Sequence, residues 1–209
     1  MTRETTMDLP EYLDRMEIED VVQTERLARD VMQWDRMSDC FWPDSLVELS
    51  WFRGTGQEFS EASAKMASGG TQAFHQMSPT VIRLDGNRAL AETGGAVHLR
   101  ATFAGVEADV ISYTRFFTRV GKREGRWLIS GLRAFYQKDV LIPSDPANPP
   151  RLDVARLVQY RQSYRYLSYL MSERGHPIQS TLPGMDLPDT VHTLTEREEG
   201  WLAGMIDRG

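Results

Sequence analysis

The chain has a single cysteine, Cys40, among 209 residues. That excludes an internal disulfide and any metal site built on several cysteines. Basic residues are in deficit, 24 against 30 acidic, and the net charge of −6 argues against nonspecific nucleic-acid binding, which needs a basic face. No apolar run approaches the ~20 residues of a membrane span. The first twelve residues, MTRETTMDLPEY, carry no apolar core of a secretory signal. The expectation is a soluble cytoplasmic protein with neither a nucleic-acid nor a membrane partner. Histidines are few: His75, His98, His176 and His192 stand in no H-x-x-x-H or H-E-x-x-H spacing, so no metal is expected. A G-x-S-x-G elbow, a P-loop and a dinucleotide fingerprint are all absent, so no cofactor is expected either. What remains is side-chain acid–base chemistry, for which one histidine and one carboxylate suffice.

What is present divides into three parts. Residues 17–68 read as helical with one extended interruption. The segment EIEDVVQTERLARDVMQWDRMSDCF has helical periodicity until Pro43, LVELSWF is a short strand, and QEFSEASAKMAS is a second helix stopped by Gly69-Gly70. From residue 71 long strands take over, with turns at Asp85-Gly86-Asn87, Ala104-Gly105 and GKREG. The pattern predicts four strands in meander order, with a kink or bulge at Gly94-Gly95. Helices followed by a long antiparallel sheet make an α+β layout with the helices on one face. IPSDPANPP (142–150) reads as a linker, and RLDVARLVQYRQSYRYLSYLMSERG as one helix ending at Gly175, with Pro177 beyond it. A short terminal helix closes the chain.

Leu27, Asp30, Trp34 and Met37 form one row on a helix, which sets a carboxylate in an apolar stripe. Either the pocket lies inside that stripe, or the helix is rotated and Asp30 sits at its edge paired with Arg26. His75 opens a strand, where a histidine is more often an ordinary hydrogen-bonded structural residue than a catalytic one. On the third long strand Ile111, Tyr113, Arg115, Phe117 and Arg119 share one face, and Ser112, Thr114, Phe116 and Thr118 the other. A face mixing Tyr and Arg with apolar residues suits a pocket, and suits a solvated sheet about as well.

Residues 15–140 resemble the SnoaL-like branch of the nuclear transport factor 2 superfamily, close to scytalone dehydratase. The resemblance is carried by ARDVMQWDRMSDCFWPDSLVEL, WFRGTGQEF, TQAFHQMSPTVIRLDGNRALAET and FFTRVGKREGRWLIS. It implies a cone: a strongly bent antiparallel sheet wrapped round the N-terminal helices, enclosing a pocket. It also implies an aspartate–histidine dyad for cofactor-free elimination, which falls on Asp30 and His75. The tyrosine beside that aspartate in scytalone dehydratase is Arg29 here, so substrate identity does not carry over.

The expected domains are a cone over 1–142 and a helical extension over 143–209. The expected activity is a cofactor-independent lyase acting on a small aromatic molecule, by dehydration or by formaldehyde loss from an aryl 1,3-diol such as a lignin-derived diarylpropane. His75 is assigned as acid–base, Asp30 as its partner, and Tyr113 and Arg115 as stabilisers of developing charge. Trp34, Trp51, Phe74, His98 and Phe117 are assigned to substrate binding. The alternatives are an isomerase or hydrolase on the same pocket, or a non-catalytic binding module. In the extension, Leu157, Tyr160, Tyr164, Leu167 and Met171 recur at helical steps among five arginines. That surface suits either a lid over the cone or, slightly preferred, contact with a second subunit in a homotrimer or homodimer.

Overall fold

The computed structural model describes residues 8–69, 73–103, 105–176 and 178–205. Gly70, Ala104 and Pro177, named above as stop or turn signals, lie outside the described residues. Helix α1 (Leu9–Asp30) starts where Asp8 accepts the backbone N–H of Glu11 and Pro10 occupies its first turn. It ends two residues before Met32, which has φ of 60°, and a one-turn helix α2 (Trp34–Ser38) follows. The single predicted helix is therefore two, and the break reorients the chain into strand β1 (Phe41–Leu49). The inward stripe of α1 is Ile18, Val21, Val22, Glu25 and Ala28, whereas Leu27 is exposed. The helix is rotated from the row Leu27–Asp30–Trp34–Met37.

A short strand β2 (Phe52–Gly54) leads into α3 (Gly56–Ser68), opened by a capping box in which Thr55 and Glu58 bond reciprocally. Strands β3 (Ala73–Asp85), β4 (Arg88–Phe103), β5 (Val106–Arg123) and β6 (Arg126–Pro143) then form the antiparallel meander. The sheet order is β2-β1-β6-β5-β4-β3, with β1 parallel to β6. The expected irregularity at Gly94-Gly95 falls on the facing strand, where the register slips between Met77 and Thr80. The β5–β6 turn uses Glu124 and Gly125, both at positive φ, as a two-residue hairpin requires.

The fold is α+β, a curled open sheet closed by helices at its N- and C-terminal sides. The concave face packs Val47, Ala89, Ala91, Phe116, Val120 and Ala134 against Ile18, Val22, Met37 and Phe59 of the helices. The extension differs from the expected single helix. It is a turn α4 (Val154–Leu157), a 3-10 turn (Gln162–Tyr164) and a short helix α5 (Arg165–Glu173). Its Tyr164, Leu167, Tyr169, Leu170 and Met171 are buried against Leu99, Phe103, Val110 and Tyr136 of the sheet. Asp139 anchors α5 by accepting the Leu167 N–H at 2.8 Å. The aromatic surface read as an interface is thus covered by the chain's own cone.

Helix α6 (Pro188–Leu202) lies on the opposite, convex face, where Leu194 packs on Leu90, Phe117 and Phe135. Its Glu198 is fully buried, 2.6 Å from Arg119 Nε and 3.2 Å from Arg133 Nη1. Glu198→Ala removes the carboxylate that two buried guanidinium groups share, and removal of one partner of such a pair costs about 3–5 kcal/mol. Urea unfolding should show a loss of that order, and a loss below about 1 kcal/mol would mean that α6 is held by its apolar contacts alone.

Candidate active site

Asp30 is the last residue of α1, and His75 is the third of the edge strand β3. The Asp30 carboxylate takes two bonds from that one residue. Oδ1 lies 2.6 Å from His75 Nδ1, and Oδ2 accepts the His75 backbone N–H at 2.7 Å. The His75 side chain is 4% exposed and that of Asp30 16%. Because Nδ1–H donates to Asp30, the neutral ring keeps its lone pair on Nε2, and Arg26 Nη1 lies 3.3 Å from it. Arg26 in turn pairs with Glu25 at 2.8 Å and lies over the Phe116 ring. The alternative pairing of Asp30 with Arg26 is not the one formed.

Burial acts on each of these groups. It pushes His75 down to about 3, aided by the Arg26 charge and opposed by the Asp30 hydrogen bond. Burial also raises the Asp30 carboxyl, but the bonds and charge of His75 outweigh it and hold it below its ordinary value. Glu25 is raised by burial, and Arg29 is lowered to about 10 by burial and by Arg26. The site therefore holds a neutral imidazole fixed by an ionised carboxylate under two guanidinium groups. The Cys40 thiol, pushed up to about 12 by burial, stays protonated.

Two spaces meet here. A small cavity of about 60 Å³ inside the cone is lined by His75, Arg26, Arg29, Trp51, Ser112 and Tyr136, with Leu167 and Met171 of the extension also on its wall. A more open mouth of about 490 Å³ is lined by Asp30, Trp34, Phe74, His98 and Arg100. Arg29, Met66 and Ala73 line both. Trp51 and His75 thus face the interior, and Trp34 lines the mouth. Phe74 and His98, stacked 4.4 Å apart, pair across β3 and β4 on the face opposite His75 and reach only the mouth.

Three assigned residues are elsewhere. Tyr113, Arg115 and Phe117 project from the convex face, because the concave positions of β5 are Ser112, Thr114 and Phe116. Tyr113 lies under Lys138, Arg115 pairs with Glu92 at 2.8 Å, and Phe117 is covered by α6. The difference is one of strand parity: both faces of β5 mix polar with aromatic residues, and α6 buries the face that carries Phe117. Sequence reasoning missed Tyr136, whose Oη accepts the Ser50 N–H at 3.1 Å and keeps its own hydrogen to donate. It weighed Arg26 only as an ion-pair partner of Asp30 and gave no role to Arg29 or Ser112; the one available signal was the i, i+3 spacing of the two arginines on the side of α1 that carries Asp30.

A family profile for the SnoaL-like domain matches residues 10–133, more than half of the chain, and the chain belongs to that family. Among curated proteins it is similar to Pea pathogenicity protein 2 of Fusarium vanettenii, 28% identical over 205 residues, covering 92% of this chain and 87% of that one. An uncharacterised protein of Emericella nidulans is 27% identical over 207 residues, with the same coverage. Among solved structures, a type 2 hexachlorocyclohexane dehydrochlorinase aligns with a TM-score of 0.57 at 13% identity, over 71% of this chain and 99% of that one. A Novosphingobium aromaticivorans protein, provisionally described as a scytalone dehydratase, aligns at 0.50 and 17% identity over 69% and 95%. At such identities the structural matches speak for the fold.

The depressed His75 has a consequence for stability. Its folded value of about 3 lies below the ~6.5 of an unfolded histidine, so between these values the unfolded chain binds a proton that the native one refuses. Stability should fall as pH drops from about 6.5 towards 3. Urea unfolding at a series of pH values should show a steeper loss for the wild type than for His75→Gln, and equal slopes would contradict a neutral His75.

Proposed function

We propose that the protein is a cofactor-independent lyase that removes water from a small ring-bearing substrate, with His75 as the acid–base group and Asp30 as the residue that orients it. The observation that carries this reading is the pair of hydrogen bonds that Asp30 accepts from the backbone and ring of His75, which leaves Nε2 on the side of the small, aromatic-walled cavity that His75 lines. Nε2 takes a proton from carbon, the C–H electrons form the double bond, and the C–O bond to the departing hydroxyl breaks. The imidazolium, stabilised by Asp30, returns the proton to the leaving oxygen, and water departs with the imidazole neutral again. Tyr136 Oη and Ser112 Oγ line the same cavity as donors to that oxygen, in place of Tyr113 and Arg115. Trp51, Phe59 and Phe116 supply the walls. Loss of formaldehyde from an aryl 1,3-diol would use the same pair.

One observation favours a ligand-binding module instead: Arg26 already stands 3.3 Å from the lone pair that a base needs. The exposed row Leu9, Tyr12, Leu13 and Met16 on α1 supports a homodimer or homotrimer, read by light scattering.

Aryl diols and hydroxyketones incubated with the protein should lose the mass of water or of formaldehyde; an unchanged mass in a new product would indicate isomerisation, and two products whose masses together equal substrate plus water would indicate hydrolysis. His75→Gln and Asp30→Asn should each lower kcat about 10²–10⁴-fold with circular dichroism unchanged. Turnover within a few-fold of wild type in either variant would exclude the dyad.

A further inference from the structure

We propose that Arg29 receives an anionic oxygen of the ligand, a carboxylate or a phenolate carried on a ring, so that the chemical class bound here is that of aromatic acids and phenols. The inference rests on the preceding reading for the place where the ligand sits.

Arg29 lies in the last turn of α1, one residue before Asp30, with its guanidinium carbon 5.9 Å from the ring centre of Trp51 and 5.8 Å from that of Phe59. Its Nε is shielded from water and has no hydrogen-bond partner among the described residues. Buried polar atoms are almost always bonded, and an unpaired N–H of a charged guanidinium is among the costlier exceptions. Both oxygens of Asp30 bond to His75, and Glu25 pairs with Arg26 through Oε2, while its Oε1 bonds to neither arginine and has no partner among the described residues. Burial also raises Glu25 towards its neutral form, which leaves less negative charge to offset two arginines.

The position is as telling as the missing bond. Arg29 lines both the mouth and the inner cavity, so a ligand passing from one to the other meets it. Ser112 Oγ, also without a partner, lines the inner cavity as a second donor. A guanidinium fork matches the two oxygens of a carboxylate or the single oxygen of a phenolate, and Trp34 and Phe74 of the mouth offer surfaces for the attached ring. The inner space holds only a few water-sized groups, whereas the mouth has the volume of a small-ligand site. The charged group therefore fits at the passage, with the ring extending to one side of it.

Titration calorimetry at pH 8 with matched probes tests this on the full-length protein: benzoate against benzamide, and 4-nitrophenolate against 4-nitroanisole. A hydrogen bond to a charged group contributes about 1.5–3 kcal/mol, so at least one anion should bind ~10-fold or more tightly than its neutral counterpart. A benzoate preference assigns a carboxylate, and a nitrophenolate preference a phenolate. Arg29→Lys should keep part of the preference and Arg29→Met should lose it. Equal affinities within both pairs for the wild type, or an unchanged preference in Arg29→Met, would overturn the proposal. If Arg29→Met does not fold, the wild-type pairs and Arg29→Lys still decide the matter. The readout is equilibrium binding, so its failure leaves the dyad untouched; a dyad that fails by turnover leaves Arg29 standing.

Discussion

Asp30 holds His75 by ring and by backbone at once, and much of the concave side follows from that constraint. The two bonds tie the C-terminal end of α1 to the edge strand β3, fixing both the rotation of the helix and the start of the strand. That rotation turns Glu25, Arg26 and Arg29 inward with the carboxylate, so charge collects on the one side of α1 where apolar residues would ordinarily pack. A single Asp–His pair would be an ordinary structural contact in a dry core. Here it stands beside a cavity, under two guanidinium groups, and its imidazole is kept neutral by what surrounds it.

The rest of the structure maintains these conditions. Leu167 and Met171 of the extension add apolar surface to the inner cavity, which lowers the local dielectric and strengthens the electrostatic interactions inside. Asp139 fixes the start of α5. On the other face, Glu198 draws Arg119 and Arg133 towards α6, so these two charges are directed away from the cone. Arg26 and Arg29 suppress protonation of His75; an anion beside them would weaken that suppression. In this account the ligand's own charge would raise the basicity of the group that acts on it.

Legibility in the sequence followed the strength of the local signal. The meander strands were plain, because each alternates over many residues and ends at a turn with Gly or Asn. Asp30 and His75 were reached through an oddly placed carboxylate and a family resemblance, and geometry brings the two together. Face assignment failed on β5, where Tyr113 and Arg115 looked as suited to a pocket as Ser112 and Thr114 do; only the packing of α6 on Phe117 distinguishes the faces. The extension misled for a related reason. Its helical spacing is real, but Arg161 bonds to Asp186 and Ser180, and Ser163 to Asp186, so tertiary bonds break the run into short turns. Arg26 and Arg29 were invisible as site residues because arginine on a helix is usually solvated.

The central claim is that Asp30 and the neighbouring arginines hold His75 as a neutral imidazole with its proton on Nδ1. Nitrogen-15 NMR of the imidazole nitrogens, followed from pH 8 to pH 4.5, tests it directly. The account predicts one histidine, absent in His75→Gln, that keeps a protonated Nδ1 and an unprotonated Nε2 across the whole range. Titration of that residue near the ordinary histidine value of ~6.5, or a proton on Nε2 in the neutral form, would contradict it.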